Sequence, residues 1–225
     1  MGEYKGRAVL FSEMTPRPGN EDVFNAWYDN HHMPHHVTGV PGFLSGQRYR
    51  SPEGPHYLAV YELESVEVLE TEEYKTRKFT PDAGTKAVLD SVTGFTRYIA
   101  SEEHFAARPG FETEGIDGEV ILAVFYAVPF DRAPEFNEWY DTEHIPMLLE
   151  CEDWLMGRRL SVTQADPERY THMMLHYLNT RDAMDSDAVA RSRDTEWRKK
   201  LAEETWYEPH MVFYNRRNGR VLDQD

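Results

Sequence analysis

Residues 24–36 read Phe-Asn-Ala-Trp-Tyr-Asp-Asn-His-His-Met-Pro-His-His. Asp29 and His32 stand three positions apart, a spacing that brings a carboxylate beside an imidazole on a helix. A carboxylate that takes the proton of one ring nitrogen fixes the tautomer and raises the basicity of the other, giving a general acid or base near neutral pH. Tyr28 and Arg48 have the chemistry to hold or polarise a substrate carbonyl or carboxylate. A structural reading competes. A histidine near a helix end can cap the last carbonyls, favoured by the helix dipole, with the aspartate holding it in place. The residue types alone leave both readings open.

The chain contains a second copy of the pattern. Phe136-Asn137-x-Trp139-Tyr140-Asp141-x-x-His144-x-Pro146 repeats Phe24-Asn25-x-Trp27-Tyr28-Asp29-x-x-His32-x-Pro34 at a constant offset. After a one-residue deletion, Trp154-Leu155-x-Gly157-x-Arg159 repeats Phe43-Leu44-x-Gly46-x-Arg48. Agreement at Trp, His and Pro marks a duplication, and two copies make a fusion rather than a solenoid. On this basis the candidate catalytic residues are His32, Asp29 and Tyr28, with His144 and Asp141 in the second copy. The candidate substrate-binding residues are Asn25, Arg48, Tyr140, Asn137, Arg159, Tyr61 and His176. Tyr61 and His176 come from strands: His172 and His176 share a strand face and align with Tyr57 and Tyr61. Such a face lines a polar cavity or forms a core with satisfied hydroxyls and imidazoles.

His31/His35 and His32/His36 are i, i+4 pairs, a spacing suited to metal ligation. Pro34 lies inside both pairs and disfavours a regular helix at Met33. The second copy keeps His144 but carries Glu143, Met147 and Leu148 at the other three positions. No metal site is therefore assigned, and His31, His35 and His36 read as local elaboration around a kink. Cys151 has no evident catalytic partner. G-x-G-x-x-G, P-loop, G-x-S-x-G and H-E-x-x-H patterns are all absent, so the sequence predicts no cofactor.

The elements that must position these residues follow the order βαββαβ, twice. Strands are expected at 7–14, 43–51, 56–64 and 92–100, then at 119–128, 154–162, 170–178 and 206–215. Helices are expected at about 21–32 and 134–144, with Asn20 or Asp131 available as N-cap, and at 65–79 (extending to about 90) and 180–203. At about 100° per residue, Phe24, Trp27 and His31 form an apolar stripe, while Asn25, Asp29 and His32 form a polar stripe beside it. The fold class is α+β: two tandem ferredoxin-like modules, residues 1–105 and 118–216, whose antiparallel sheets pair into an intramolecular α/β-barrel. Residues 106–117 read as a linker and 217–225 as a polar tail.

Bulk composition restricts the partners. The 225 residues carry 24 Lys and Arg against 40 Asp and Glu, a formal charge of −16 that argues against nucleic acid. No apolar run approaches a membrane span or a signal peptide, and one cysteine suits a reducing cytoplasm. The expected partner is a small hydrophobic or aromatic-derived metabolite. Association into a homo-oligomer through the acidic surface stays open.

The βαββαβ order, with FNxWYDxxHxP on the first helix and PGFLSGQRY leading into the second strand, resembles the dimeric α/β-barrel superfamily. The likeness is to its EthD-like and its polyketide-cyclase-like or muconolactone-isomerase-like branches, and it runs over nearly the whole chain as two modules. It implies a ligand cavity against the sheet. In superfamily members with the helix histidine, that residue often acts in acid–base chemistry, which points to His32 and His144. Haem enzymes of related tandem architecture place an axial histidine in the second half, where His144 or His176 would have to serve. The leading expectation is a cofactor-independent lyase or isomerase of dehydratase, cyclase or decarboxylase type. His32 would move a proton α to the carbonyl of a small cyclic or aromatic-derived compound. The alternatives are a non-catalytic small-molecule binding protein and a haem- or metal-dependent oxidoreductase, because fold alone does not select a reaction.

Overall fold

A computed structural model describes residues 5–110, 116 and 118–223. The chain forms two compact units. Unit 1 comprises residues up to 101, 164–167 and from 214 onward; unit 2 comprises 102–163 and 168–213. The break falls inside a strand rather than at the expected linker. Strand β4 (Val92–Ala107) runs without interruption through residues 106 and 107. Of the proposed linker, residues 111–115 and 117 lie outside the described residues.

In unit 1, β1 (Ala8–Pro16) pairs antiparallel with β3 (Tyr57–Leu63) on one side and β4 on the other, and β2 (Phe43–Arg50) pairs with β3. The order β4–β1–β3–β2 is that of a ferredoxin-like sheet. Unit 2 repeats it with β8 (His210–Arg216), β5 (Val120–Tyr126), β7 (His172–Leu178) and β6 (Trp154–Asp166). Every residue of β3, β5 and β7 is buried, so these central strands are covered on both faces. The α+β class and the order of elements agree with the sequence reading. Of the expected tail 217–225, the described residues 217–223 are not free, since β9 (Val221–Leu222) pairs with Ser45 and Gly46 of β2; residues 224 and 225 lie outside the described residues.

The helix carrying the repeated residues is longer than its sequence suggests. α1 (Glu21–Trp27) passes into a π turn (Tyr28–His32) and then into α2 (Met33–Val37), which spans HHMPHH. The Met33 N–H bonds the Tyr28 carbonyl, five residues back. That wider ring immediately precedes Pro34, which has no N–H to offer the next carbonyl, so the chain stays helical through the proline. The second copy repeats the device: α3 (Ala133–Trp139), a π turn (Tyr140–His144) whose Tyr140 carbonyl accepts from Ile145, and α4 (Ile145–Leu148). The anticipated caps are not used. Asn20 makes no side-chain cap bond, and the second helix starts after Arg132 rather than Asp131.

The remaining helices of unit 1 are α5 (Glu72–Phe79), capped by Thr71, and α6 (Ala83–Leu89), capped by Asp82. Their counterparts in unit 2 are α7 (Asp187–Arg193) and α8 (Glu196–Ala202). The repeated glycines admit the helices to their sheets. A Cβ on Gly46 would meet the Met33 side chain at 2.9 Å, and one on Gly157 would meet Ile145 Cδ1 at 2.4 Å. No helix among the described residues is long and apolar enough to cross a membrane.

Candidate functional site

A cavity of about 520 Å³ opens between the sheet and the helices of unit 1. That volume falls within the range of small-molecule sites. β1 contributes Leu10, Ser12 and Met14, the alternate residues facing the helices, and β3 contributes Tyr61. The π turn and α2 add Tyr28, His31, His32, His35 and His36; α5 and β4 add Tyr74, Arg77, Lys78 and Arg97. Of the residues singled out from sequence, Tyr28, His32 and Tyr61 reach this cavity.

Asn25, Asp29 and Arg48 lie elsewhere. The fully buried Arg48 guanidinium donates to Asp29 Oδ1 and, at 2.9 Å, to Asn25 Oδ1. It also lies over the Tyr28 ring, 4.4 Å from the centroid. Arg217 Nη2 and Asn218 Nδ2 donate to the same Asp29 carboxylate. Asp29 therefore has no hydrogen bond to His32. The extra residue in the π turn moves His32 off the stripe that regular helical spacing assigns it. Its ring instead stacks on Trp27, with centroids 4.3 Å apart. The second copy makes the same substitution of partners: Arg159 forms a two-point pair with Asp141 at 2.9 and 2.8 Å, and His144 stacks on Trp139 at 4.6 Å. In both copies the aspartate serves an arginine.

His31, His35 and His36 are cavity wall rather than decoration around a kink. His36 Nδ1 lies 2.9 Å from the His32 carbonyl oxygen. A carbonyl only accepts, so Nδ1 holds the proton and Nε2, on the opposite edge of the ring, presents a lone pair. Burial pushes the His36 pKa down to about 4 and also holds His32 well below the ordinary histidine range, so both rings are neutral at pH 7. The rings lie 4.5 Å apart. Beside them Tyr61 donates its hydroxyl hydrogen to the Tyr28 oxygen across 3.4 Å. Burial raises both phenols, Tyr61 especially, which keeps them protonated. The neutral His36 ring and the Tyr28 hydroxyl, which accepts from Tyr61, thus share the wall of a partly apolar cavity. Among the described residues, no group of three or more His, Cys, Asp or Glu side chains converges as a metal ligand set.

Sequence reasoning passed over Tyr74, Arg77, Lys78 and Arg97. They lie outside the repeated motif, and searching by self-similarity cannot find residues that only one module uses. The HHMPHH run did signal His36, but weighting by repetition removed it.

Unit 2 has filled the equivalent space. What remains there is a pocket of about 90 Å³, lined by Tyr140, His144, Trp154, His176 and Tyr207 among others. Trp154 Nε1 donates to His176 Nδ1 at 3.1 Å, and Nε2 of the same ring meets the Tyr140 hydroxyl at 2.7 Å. An indole N–H only donates, so Nδ1 accepts and Nε2 carries the proton. Both nitrogens of His176 are occupied. Asn137 is likewise engaged, its Oδ1 3.0 Å from His172 Nε2. Burial, with Arg198 and Arg193 nearby, lowers the His144 pKa to about 3. A haem would require space and a free imidazole nitrogen. The small pocket and the saturated His176 ring do not suit it, whereas the buried Nδ1 of His144 has no hydrogen-bond partner.

Neither a protein-family model nor a curated protein matches the chain. Solved structures do. An anthrone oxidase-like protein superposes with a TM-score of 0.67 at 13% identity, covering 100% of this chain and 97% of its own. A protein provisionally named a monooxygenase from Fusobacterium nucleatum gives 0.60 at 10% identity, covering 97% and 95%. A chlorite dismutase variant from Candidatus Nitrospira defluvii gives 0.58 at 8% identity, covering 94% and 91%. At these identities the likeness is one of fold, and it supports the α+β ferredoxin-like assignment.

Proposed function

We propose that module 1 is an acid–base enzyme acting on a small cyclic or aromatic-derived carbonyl compound, with the EthD-like and polyketide-cyclase-like branches as its nearest functional analogues. The observation that carries this reading is the His36 ring. Its tautomer is fixed by a backbone carbonyl, and its lone pair is available in a ligand-sized cavity beside two protonated tyrosines. His36 Nε2 removes a proton α to the substrate carbonyl, and Tyr28, whose oxygen accepts the Tyr61 hydroxyl, donates to the developing enolate oxygen. His32, packed against His36, assists in orienting the ring. Return of the proton to a different carbon gives isomerisation, and loss of a β-substituent from the enolate gives elimination. The candidate residues of module 2, His144, Tyr140, Asp141, Asn137, Arg159 and His176, serve packing in this reading.

A second reading shares the first step. The names of the structural neighbours favour oxidation, in which the same carbanion passes electrons to dioxygen instead of regaining its proton. Both readings are tested by incubating the protein with cyclic ketones and hydroxylated aromatic ketones in D₂O, with mass spectrometry of the products and an oxygen electrode. Deuterium incorporation or elimination without oxygen uptake supports the lyase or isomerase assignment, and stoichiometric oxygen uptake supports the oxygenase. A protein that binds such ketones but neither exchanges nor converts them contradicts both and leaves a binding protein.

A further inference from the structure

In a chain of net charge −16, basic side chains readily find acidic partners. In unit 1, Arg48 pairs with Asp29, Arg50 with Glu21, Lys75 with Glu70 and Lys86 with Asp90. The three cations in the cavity wall do not. Arg77 donates to His35 Nε2 at 3.2 Å and to the Glu73 carbonyl at 3.2 Å, while Arg97 donates to the Tyr74 hydroxyl at 3.0 Å. Lys78 has its ammonium 5.2 Å from the Phe79 ring. Among the described residues none of the three forms an ion pair with a carboxylate. The acid in the wall, Asp82, is already engaged by the Gly84 and Thr85 N–H groups, the Thr85 hydroxyl and His31.

Three cations gathered at one cavity without an ion-paired carboxylate repel one another. Partial burial, and after it the neighbouring Arg97, hold the Lys78 ammonium below the ordinary lysine range against a smaller opposing pull from Glu70. An anion entering the cavity relieves this, and two planar guanidinium groups suit a carboxylate. Position agrees with charge. The Tyr74 hydroxyl that Arg97 contacts belongs to a ring 6.1 Å from the His36 ring, so a group held by Arg97 leaves the remainder of a small molecule alongside His36 and Tyr61. Leu10, Met14, Leu89 and Phe95 supply apolar wall for a ring.

We infer that the ligand of this cavity is an organic anion whose carboxylate is bound by Arg97, Arg77 and Lys78 while its ring lies against His36 and Tyr61. This rests on the reading of the cavity as the substrate site. It deepens that reading by naming a substrate class: a cyclic or aromatic keto or hydroxy acid.

The test is equilibrium binding, independent of turnover. Quenching of tryptophan fluorescence at low salt is measured with 1-hydroxy-2-naphthoate and with its methyl ester. The acid is expected to bind roughly tenfold more tightly than the ester, with the gap shrinking as salt is added. Arg97→Gln and the exposed-site variant Lys78→Gln are each expected to narrow the gap while leaving ester binding unchanged. Lys78→Gln keeps the test usable if Arg97→Gln perturbs folding. Equal affinity for acid and ester overturns the inference. So does a preference that survives Arg77→Gln, Lys78→Gln and Arg97→Gln combined, or failure of the acid to bind at millimolar concentration. His36→Gln should abolish conversion and retain the acid preference. Acid preference in a protein that transfers no protons would preserve this inference and end the catalytic one; conversion of neutral ketones without acid preference would do the reverse.

Discussion

At the scale of single residues, the assignment turns on which group orients which. Asp29, the apparent orienting carboxylate, is committed to Arg48, and a backbone carbonyl orients His36 in its place. His36→Gln should therefore lower the proton-transfer rate by about 10²- to 10⁴-fold, and His32→Gln by much less, in a stopped-flow or exchange assay. The reverse ranking would return the base to His32. A neutral imidazole acts as base only above its own pKa. With His36 held at about 4, kcat/KM should stay level as pH falls through the ordinary histidine value of 6.5 and decline only near 4. The Asp29–Arg48 pair predicts stability rather than rate. Asp29→Ala leaves a fully buried guanidinium without its counter-charge and should cost about 3–5 kcal/mol in urea unfolding. A loss below about 1 kcal/mol would mean the pair behaves like a surface salt bridge.

At the scale of elements, the sequence made most of the architecture legible. Strands with aromatic and β-branched alternation, a proline tolerated in a first turn and two matching motif copies were enough to predict βαββαβ twice. The π turn was not legible. Helical-wheel reasoning assumes one uniform twist, and a single five-residue ring before Pro34 is enough to separate Asp29 from His32. The repeated glycines, by contrast, have a direct structural reason. Gly157→Ala presses on Ile145, with the His176 ring also within 3.2 Å, whereas Gly46→Ala meets only the flexible Met33 side chain. Overpacking of this kind costs about 1–3 kcal/mol. Thermal denaturation should show the larger loss for Gly157→Ala, and equal losses would argue against the close helix approach in unit 2.

At the scale of the whole molecule, one unit has an open cavity where the matching positions of the other are packed. Tyr61 lines the cavity of module 1 with Phe43 packed against it, while His176 and Trp154 at the corresponding positions of module 2 are hydrogen-bonded to each other. Self-similarity in the sequence therefore gives no sign of the cavity residues, because residues present in only one half leave no repeat. The buried histidines also set the acid stability of the protein. His36 and His172 are held at about 4, and His144 and His176 at about 3, each chiefly by burial. Because these folded-state values lie below the unfolded value of about 6.5, the unfolded chain binds more protons across that window. Stability should be full above about pH 6.5 and fall progressively as pH drops towards 3. Replacing His172 by Gln should flatten the decline measured by urea unfolding.

The claim that chemistry belongs to module 1 is tested most directly by matched single-turnover exchange in D₂O with His36→Gln and His144→Gln. The structure predicts loss of exchange in His36→Gln and a wild-type rate in His144→Gln. Wild-type exchange in His36→Gln, or its loss in His144→Gln, would contradict the assignment.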